Sequence, residues 1–334
     1  MFADRYIAIR PSDQNVYAGR SVQILLTSVN DGDILSGTLL LRVKANDGQT
    51  LLDVNEKMII PNGIIDLDAY DINTERVEGR CHIDLSFESE EVEPIRNQSS
   101  VYILNKSKSN LPDSAPALID MDGSLGQCLS NTRATFQTFS SQLPPDQSVL
   151  VNLNGWNGES NIRFNELANW VERGGIALYL NLPQMTHLKM ATRGSHMSAT
   201  LRRTLSFHFR CLYTPCSHVV KNHPFYDGLP SNCLMGQEYR NVVSQWSIVE
   251  PKSNWIGGNI TYDWYAGLKH KQNYIGVTEA FHGADLTQIS YGKGIYILCT
   301  HRIVENLGKD PVADRLLKNM LVDFPRLHRV NSSK

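Results

Sequence analysis

The chain has 334 residues, 41% of them hydrophobic and 20% charged, an ordinary globular balance that argues against disorder. Lys plus Arg number 32 against 34 Asp plus Glu, a formal net charge of -2, so neither nucleic acid nor an anionic membrane surface is an expected partner. No apolar run reaches the roughly 20 residues that a membrane helix needs.

The first stretch, MFADRYIAIR, carries Asp4 and Arg5 where a secretory leader needs an apolar core, so a cytoplasmic location is expected. The first hundred or so residues then read as short strands. SVQILLTSVN (21–30), GTLLLRVKA (37–45), EKMIIP (56–61), RCHIDLSFES (80–89) and SSVYILN (99–105) are rich in β-branched and aromatic residues. They are separated by NDGD, NDGQ and PNG, which are turn formers. In RCHIDLSFES, Cys81, Ile83, Leu85 and Phe87 fall on one face, and His82, Asp84, Ser86 and Glu88 on the other. An immunoglobulin-like β-sandwich over 1–104 is the expectation. The polar stretch NKSKSNLPDSAP reads as a linker over 105–116.

From Ala117 onward strands and helices alternate. ALIDM (117–121) and SVLVNLNG (148–155) are strand-like, with a helix-like region around Leu125, Leu129 and Phe136 between them. NIRFNELANWVERGG (161–175) repeats its apolar residues Phe164, Leu167, Trp170 and Val171 at helical spacing, and Gly174-Gly175 ends it. IALYLNLP and GIYILCT follow as strands. PVADRLLKNMLVDF (311–324) closes as a helix with Pro311 in its first turn and Asp310 as cap, and with Leu316, Leu317, Met320 and Leu321 on its apolar face. The rhythm predicts a three-layer α/β domain over 117–329 with a mostly parallel sheet.

Four features invite chemistry. LIDMDGSL (118–125) resembles the haloacid dehalogenase phosphatase motif, in which the first carboxylate attacks phosphorus, the second is acid/base and magnesium screens the charge; Asp120 and Asp122 would take those roles, with Asp310 and Asp314 as a late acidic pair. Against it, Asp310 is explained as a helix cap, and Asp and Gly after a strand are common in turns. Cys211, Cys216, His218 and His223, with His208 upstream, could bind zinc, but the intervals of four, one and four residues lack a Cys-x-x-Cys knuckle, so no metal is expected. Six cysteines scattered over the chain read as reduced thiols. No nucleophile elbow, phosphate loop or dinucleotide fingerprint occurs, and Gly292-Lys293-Gly294 leads into a strand, so it reads as a turn and no cofactor is expected. Trp255, Trp264 and Tyr265 sit in an aromatic-dense stretch that could stack on a sugar or could equally form a core or subunit contact.

HPFYDGLPSNCLMGQEYRNV (223–242) and YGKGIYILCTHRIVENLGKDPVADRLLKNML (291–321) resemble the C-terminal region of glycoside hydrolases related to family 2, the β-galactosidase and β-glucuronidase group. RPSDQNVYAGRSVQILLTSVNDG (10–32) is similar to the immunoglobulin-like modules that precede that region. The resemblance implies a flavodoxin-like, class I glutamine amidotransferase-like second domain. It also implies that the catalytic glutamates belong to a (β/α)₈ barrel, for which this chain has no room. The amidotransferase cysteine elbow is absent as well. The implied function is a non-catalytic accessory part of a glycosidase, serving subunit contact or active-site shaping in carbohydrate metabolism. Its implied partners are the barrel-bearing region or subunit, a carbohydrate, or a second copy of the chain.

Overall fold

The computed structural model describes residues 4–106, 116–131, 135–153, 161–180, 182, 206–209, 217–244, 246–249, 254–262 and 280–332. The chain divides into two compact units, Met1–Ser109 and Asn110–Lys334. Among the described residues no helix is long and apolar enough to cross a membrane.

Unit 1 is a β-sandwich. Strands β1 (Arg5–Pro11), β3 (Ser21–Asn30) and β6 (Gly63–Asn73) form a 3-stranded sheet in the order β1-β3-β6. Strands β2 (Asn15–Tyr17), β4 (Leu35–Ala45), β5 (Thr50–Ile60), β7 (Gly79–Glu88) and β8 (Ile95–Leu104) form a 5-stranded sheet in the order β2-β8-β7-β4-β5. The inner faces meet in one core that includes Ile7, Ile24, Leu26, Leu39, Leu41, Ile83, Leu85 and Phe87. The alternation along β7 survives intact: Cys81, Ile83, Leu85 and Phe87 are buried, while His82 and Asp84 are exposed. A one-residue slip would turn that entire set outward, so the pattern fixes the register.

Unit 2 differs from the three-layer α/β expectation. Its strands are β9 (Ala117–Asp120), β10 (Gln137–Thr138), β11 (Ser148–Asn152), β12 (Ile176–Leu180), β13 (Ser206–Phe209), β14 (Ser217–Val220), β15 (Cys233–Leu234), β16 (Trp246–Val249), β17 (Asn254–Tyr262), β18 (Ala280–Tyr291) and β19 (Gly294–Cys299). They form one 11-stranded sheet whose main path runs β10-β9-β11-β12-β19-β18-β17-β14-β15, with β13 and β16 joined through β18. Pairing is parallel from β10 to β19 and antiparallel beyond it. The helices are α1 (Ser124–Asn131), α2 (Asn161–Glu172), α3 (Ile303–Asn306) and α4 (Pro311–Ser332). Strand far exceeds helix among the described residues, so a flavodoxin-like or amidotransferase-like domain with helices on both faces is not what forms. The physical reason lies between β12 and β19. WSIV, NWIGGNITY and AFHGADLTQISY are β-branched and aromatic and lack a 3.6-residue apolar period, so they extend the sheet by antiparallel pairing.

In α2 and α4 the apolar spacing decided correctly, whereas Phe136, grouped with Leu125 and Leu129, lies beyond the end of α1 and is exposed. Phe164, Leu167, Trp170 and Val171 of α2 are all at most 1% exposed, and they pack with Val149, Val151, Tyr179, Tyr296 and Leu298. Leu316, Leu317, Met320 and Leu321 of α4 are buried.

The glycines of two distant stretches meet. Gly174, at φ +126, ends α2, a conformation that disfavours other residues. Gly292 and Lys293 form the two-residue loop of the β18–β19 hairpin. The Lys293 N–H donates to the Glu172 carbonyl (2.9 Å) and the Ile295 N–H to the Gly175 carbonyl (3.0 Å). A Cβ at Gly294 would overlap the carbonyl oxygens of Val171 and Gly175. The Gly-Lys-Gly is therefore a site of close backbone approach. Gly294→Ala is expected to lower the free energy of urea unfolding by about 1–3 kcal/mol through overpacking, with an unchanged m-value.

Candidate functional site

In an open sheet with parallel strands, ligands gather at carboxyl ends where the chain's connections diverge. Here β9 leads through α1 to β10 on one side, and β10 then leads to β11 on the other. The divergence falls between β9 and β11. Asp120 ends β9, Asn152 ends β11, and the two are register partners.

Asn152 is fully buried. Its Nδ2 lies 2.8 Å from Asp120 Oδ1, 3.1 Å from Asp122 Oδ1 and 2.9 Å from Ser124 Oγ. The Ser124 N–H (3.0 Å) and hydroxyl (2.7 Å) both donate to Asp122 Oδ1. The Gly126 N–H donates to Asp120 Oδ2 at 2.7 Å. Gly123, at φ +75, turns the chain between the two carboxylates and the helix. Asp120 and Asp122 thus satisfy N–H groups at the start of α1 and complement its dipole. Burial acts to raise the Asp122 carboxyl, but the Ser124 hydroxyl and N–H, with the Asp120 contact, outweigh it and hold Asp122 below the usual carboxylate value. Asp122 is exposed, and its Oδ2 meets no donor among the described residues.

The residues present do not fit magnesium as arranged. Asp120 Oδ1 and Asp122 Oδ1 converge on the Asn152 amide nitrogen, which donates to both in place of a cation. Both oxygens of Asp120, the expected nucleophile, accept hydrogen bonds. The late acids are elsewhere employed. Asp310 Oδ1 accepts from the Val312 N–H (2.8 Å) as a helix cap and Oδ2 from the Asn241 amide (2.7 Å), while Asp314 accepts from the Gly308 N–H (2.7 Å). Among the described residues no group of three metal-binding side chains assembles.

Of the proposed zinc ligands, His218 pairs with Asp285, and His223 Nδ1 accepts from the Phe225 N–H (3.2 Å) at the start of a 3-10 turn. His208 lies on β13, and Cys211 and Cys216 lie outside the described residues. Trp255 lies on β17; Trp264 and Tyr265 lie outside the described residues.

A second polar cluster was missed in the sequence. His218, Asp285, Thr300, His301, Ser244 and Tyr226 are each at most 5% exposed. Asp285 of β18 faces His218 of β14, and His301 lies between the Tyr226 hydroxyl (3.0 Å to Nε2) and the Ser244 hydroxyl (3.2 Å to Nδ1). The available signal was a lone Asp in β18, as the terminal Asn was in SVLVN.

No family model matches the chain, and no curated protein does. Solved structures share local architecture with it. A CARDB domain from Pyrococcus furiosus, solved with di-metal ions, is 15% identical; the match covers 30% of this chain and 94% of that domain, with a TM-score of 0.24. The C-terminal domain of Wzt is 12% identical, covering 31% and 75%, with a TM-score of 0.24. A conjugative transposon lipoprotein from Bacteroides eggerthii is 15% identical, covering 29% and 96%, with a TM-score of 0.21. The resemblance to family-2-related glycosidases is corrected: no family model matches the chain, and unit 2 forms an 11-stranded mixed sheet instead of the flavodoxin-like domain that the resemblance implied. The two phrases that carried it fold as 3-10 turns, a tight hairpin and a capped helix, so generic turn and cap residues account for their likeness.

The acidic edge yields an ordering of stabilities. Asn152→Ala leaves two carboxylates without their shared donor and is expected to cost about 1–3 kcal/mol at pH 7. Asn152→Asp adds a third carboxylate and is expected to cost more, measured by urea unfolding in metal-free buffer.

Proposed function

We propose that unit 2 binds a neutral, hydroxyl-rich small molecule at the carboxyl edge of β9 and β11, and that the chain is a binding protein rather than a bond-breaking one. The observation that carries this reading is the convergence of Asp120, Asp122, Ser124 and Asn152 where the sheet's connections diverge. The edge is rich in acceptors. Asp122 Oδ2 is an ionised, exposed acceptor suited to a ligand hydroxyl, and hydrogen bonds to charged groups are the stronger kind. An anion is disfavoured on two counts. Two carboxylates repel it, and the α1 N–H groups that attract anions at other helix starts are occupied by those same carboxylates. A magnesium-dependent phosphatase is the weaker alternative, because the Asn152 amide stands between its two acids. The barrel-bearing glycosidase partner rested on the resemblance alone.

Calorimetric titration of the full chain with glucose, galactose and myo-inositol tests the reading, with glucose 6-phosphate plus magnesium as the anionic counterpart. Saturable binding of at least one neutral compound is expected, weakened about tenfold or more in Asp122→Asn. Absence of binding by all three, or magnesium-dependent release of phosphate lost in Asp120→Asn, would contradict it.

A further inference from the structure

The buried cluster at the end of β19 has no part in the acidic edge, and its hydrogen bonds have a direction. The Thr300 hydroxyl has one hydrogen and two acceptors within reach, Ser244 Oγ at 2.8 Å and the Asp285 carbonyl at 3.1 Å. If it donates to Ser244, then Ser244 donates to His301 Nδ1, and His301 Nε2–H donates to the Tyr226 oxygen. If it donates to the Asp285 carbonyl, every bond reverses, and Tyr226 donates to Nε2. The second places every hydrogen, whereas the first leaves the phenol hydrogen without the imidazole; both require a neutral imidazole.

A second proton on His301 removes the better one. Nδ1–H can still donate to Ser244, which passes its hydrogen to Thr300, but Nε2 can no longer accept from Tyr226, whose phenol hydrogen then loses the imidazole. Tyr226 is 1% exposed and its hydroxyl faces Gly257, where an added Cβ would overlap it. The charge itself would sit on a fully buried ring. The carboxylate nearby, Asp285, is already paired with His218.

The groups joined by His301 belong to one surface segment and to the sheet beneath it. Tyr226 and Ser244 lie at the two ends of residues 223–244, whereas Thr300, Asp285 and His218 belong to β19, β18 and β14 or adjoin them. His223, at the start of the same segment, must also be neutral, because its Nδ1 accepts the Phe225 N–H. We propose that this imidazole and hydroxyl chain is an acid-sensitive latch that secures residues 223–244 to the sheet while His301 and His223 are neutral and loosens them when they are protonated.

The surroundings set the range. Burial pulls His301 down to about 4; Asp285 opposes this, and His218 adds to it. Of the titratable neighbours from the 3-10 turns and β19, burial raises Tyr226 and pushes Cys299 up to about 12, so both stay neutral. His223 also falls to about 4, through burial and then Lys221. With folded values below the ordinary 6.5, the opened state binds more protons than the closed one. The stabilisation is therefore full above about pH 6.5 and is lost as pH falls toward 4. Asn319 of α4, which donates to the Phe225 (3.0 Å) and Asp227 (2.8 Å) carbonyls, is indifferent to pH and keeps one tether in place.

Hydrogen exchange read by mass spectrometry on the full chain at pH 7 and pH 5, corrected for intrinsic rates, tests this. Peptides from 223–244 are expected to lose protection relative to β9, β11 and β12. The His301 share is about twentyfold, from a fall of the folded value from 6.5 to about 4. That share should vanish in His301→Gln. Should that variant not fold, His223→Gln can still accept the Phe225 N–H but cannot take up a proton, and it should remove the His223 part of the acid response. An equal loss of protection across the whole sheet, or an unchanged response in the variants, would overturn the latch.

Discussion

A buried amide at the end of a parallel strand must find partners, and in unit 2 that requirement shapes everything around it. Asn152 is fully enclosed at the carboxyl end of β11, and its register partner on β9 is Asp120. The chain leaving β9 turns at Gly123 so that Asp122 and Ser124 close on the same amide. That turn in turn starts α1, whose first N–H groups are met by the two carboxylates. Sheet pairing, loop path, helix start and local charge are one arrangement. Moving any member would leave another buried polar group without a partner.

The antiparallel half obeys the same rule with different chemistry. Asp285 and Thr287 lie buried on β18, and His218 and His301 are brought to that region from β14 and the end of β19. Imidazoles and hydroxyls can satisfy one another in the interior without a net charge on His301, so the cluster is compatible with burial only in one protonation state. The acidic edge keeps its charge because Asp122 reaches water. The buried cluster stays closed because His301 does not.

Local grammar was legible in the sequence, and long-range pairing was not. The alternation of RCHIDLSFES, the Gly174-Gly175 stop of α2 and the Asp310 cap of α4 are each written within a few residues and appear as read. The strands from β13 to β18 were missed although β16, β17 and β18 lack a helical apolar period, because composition alone does not say which strand each one pairs with. Asp120 and Asp122 were noticed as a motif, but the residue that sets their role, Asn152, lies 32 positions from Asp120 and looks like a strand end. The aromatic stretch around Trp255 offered composition without geometry. The glycosidase resemblance rested on turn and cap residues that many folds share.

The central claim is that the Asn152 amide, and not a cation, bridges the carboxylates of the acidic edge. Side-chain amide NMR of the full chain tests it most directly. The account predicts an Asn152 amide resonance that exchanges slowly with solvent, shifts when Asp122 is replaced by Asn, and is unmoved by millimolar magnesium. A fast-exchanging amide, or one that shifts saturably as magnesium is added, would contradict it.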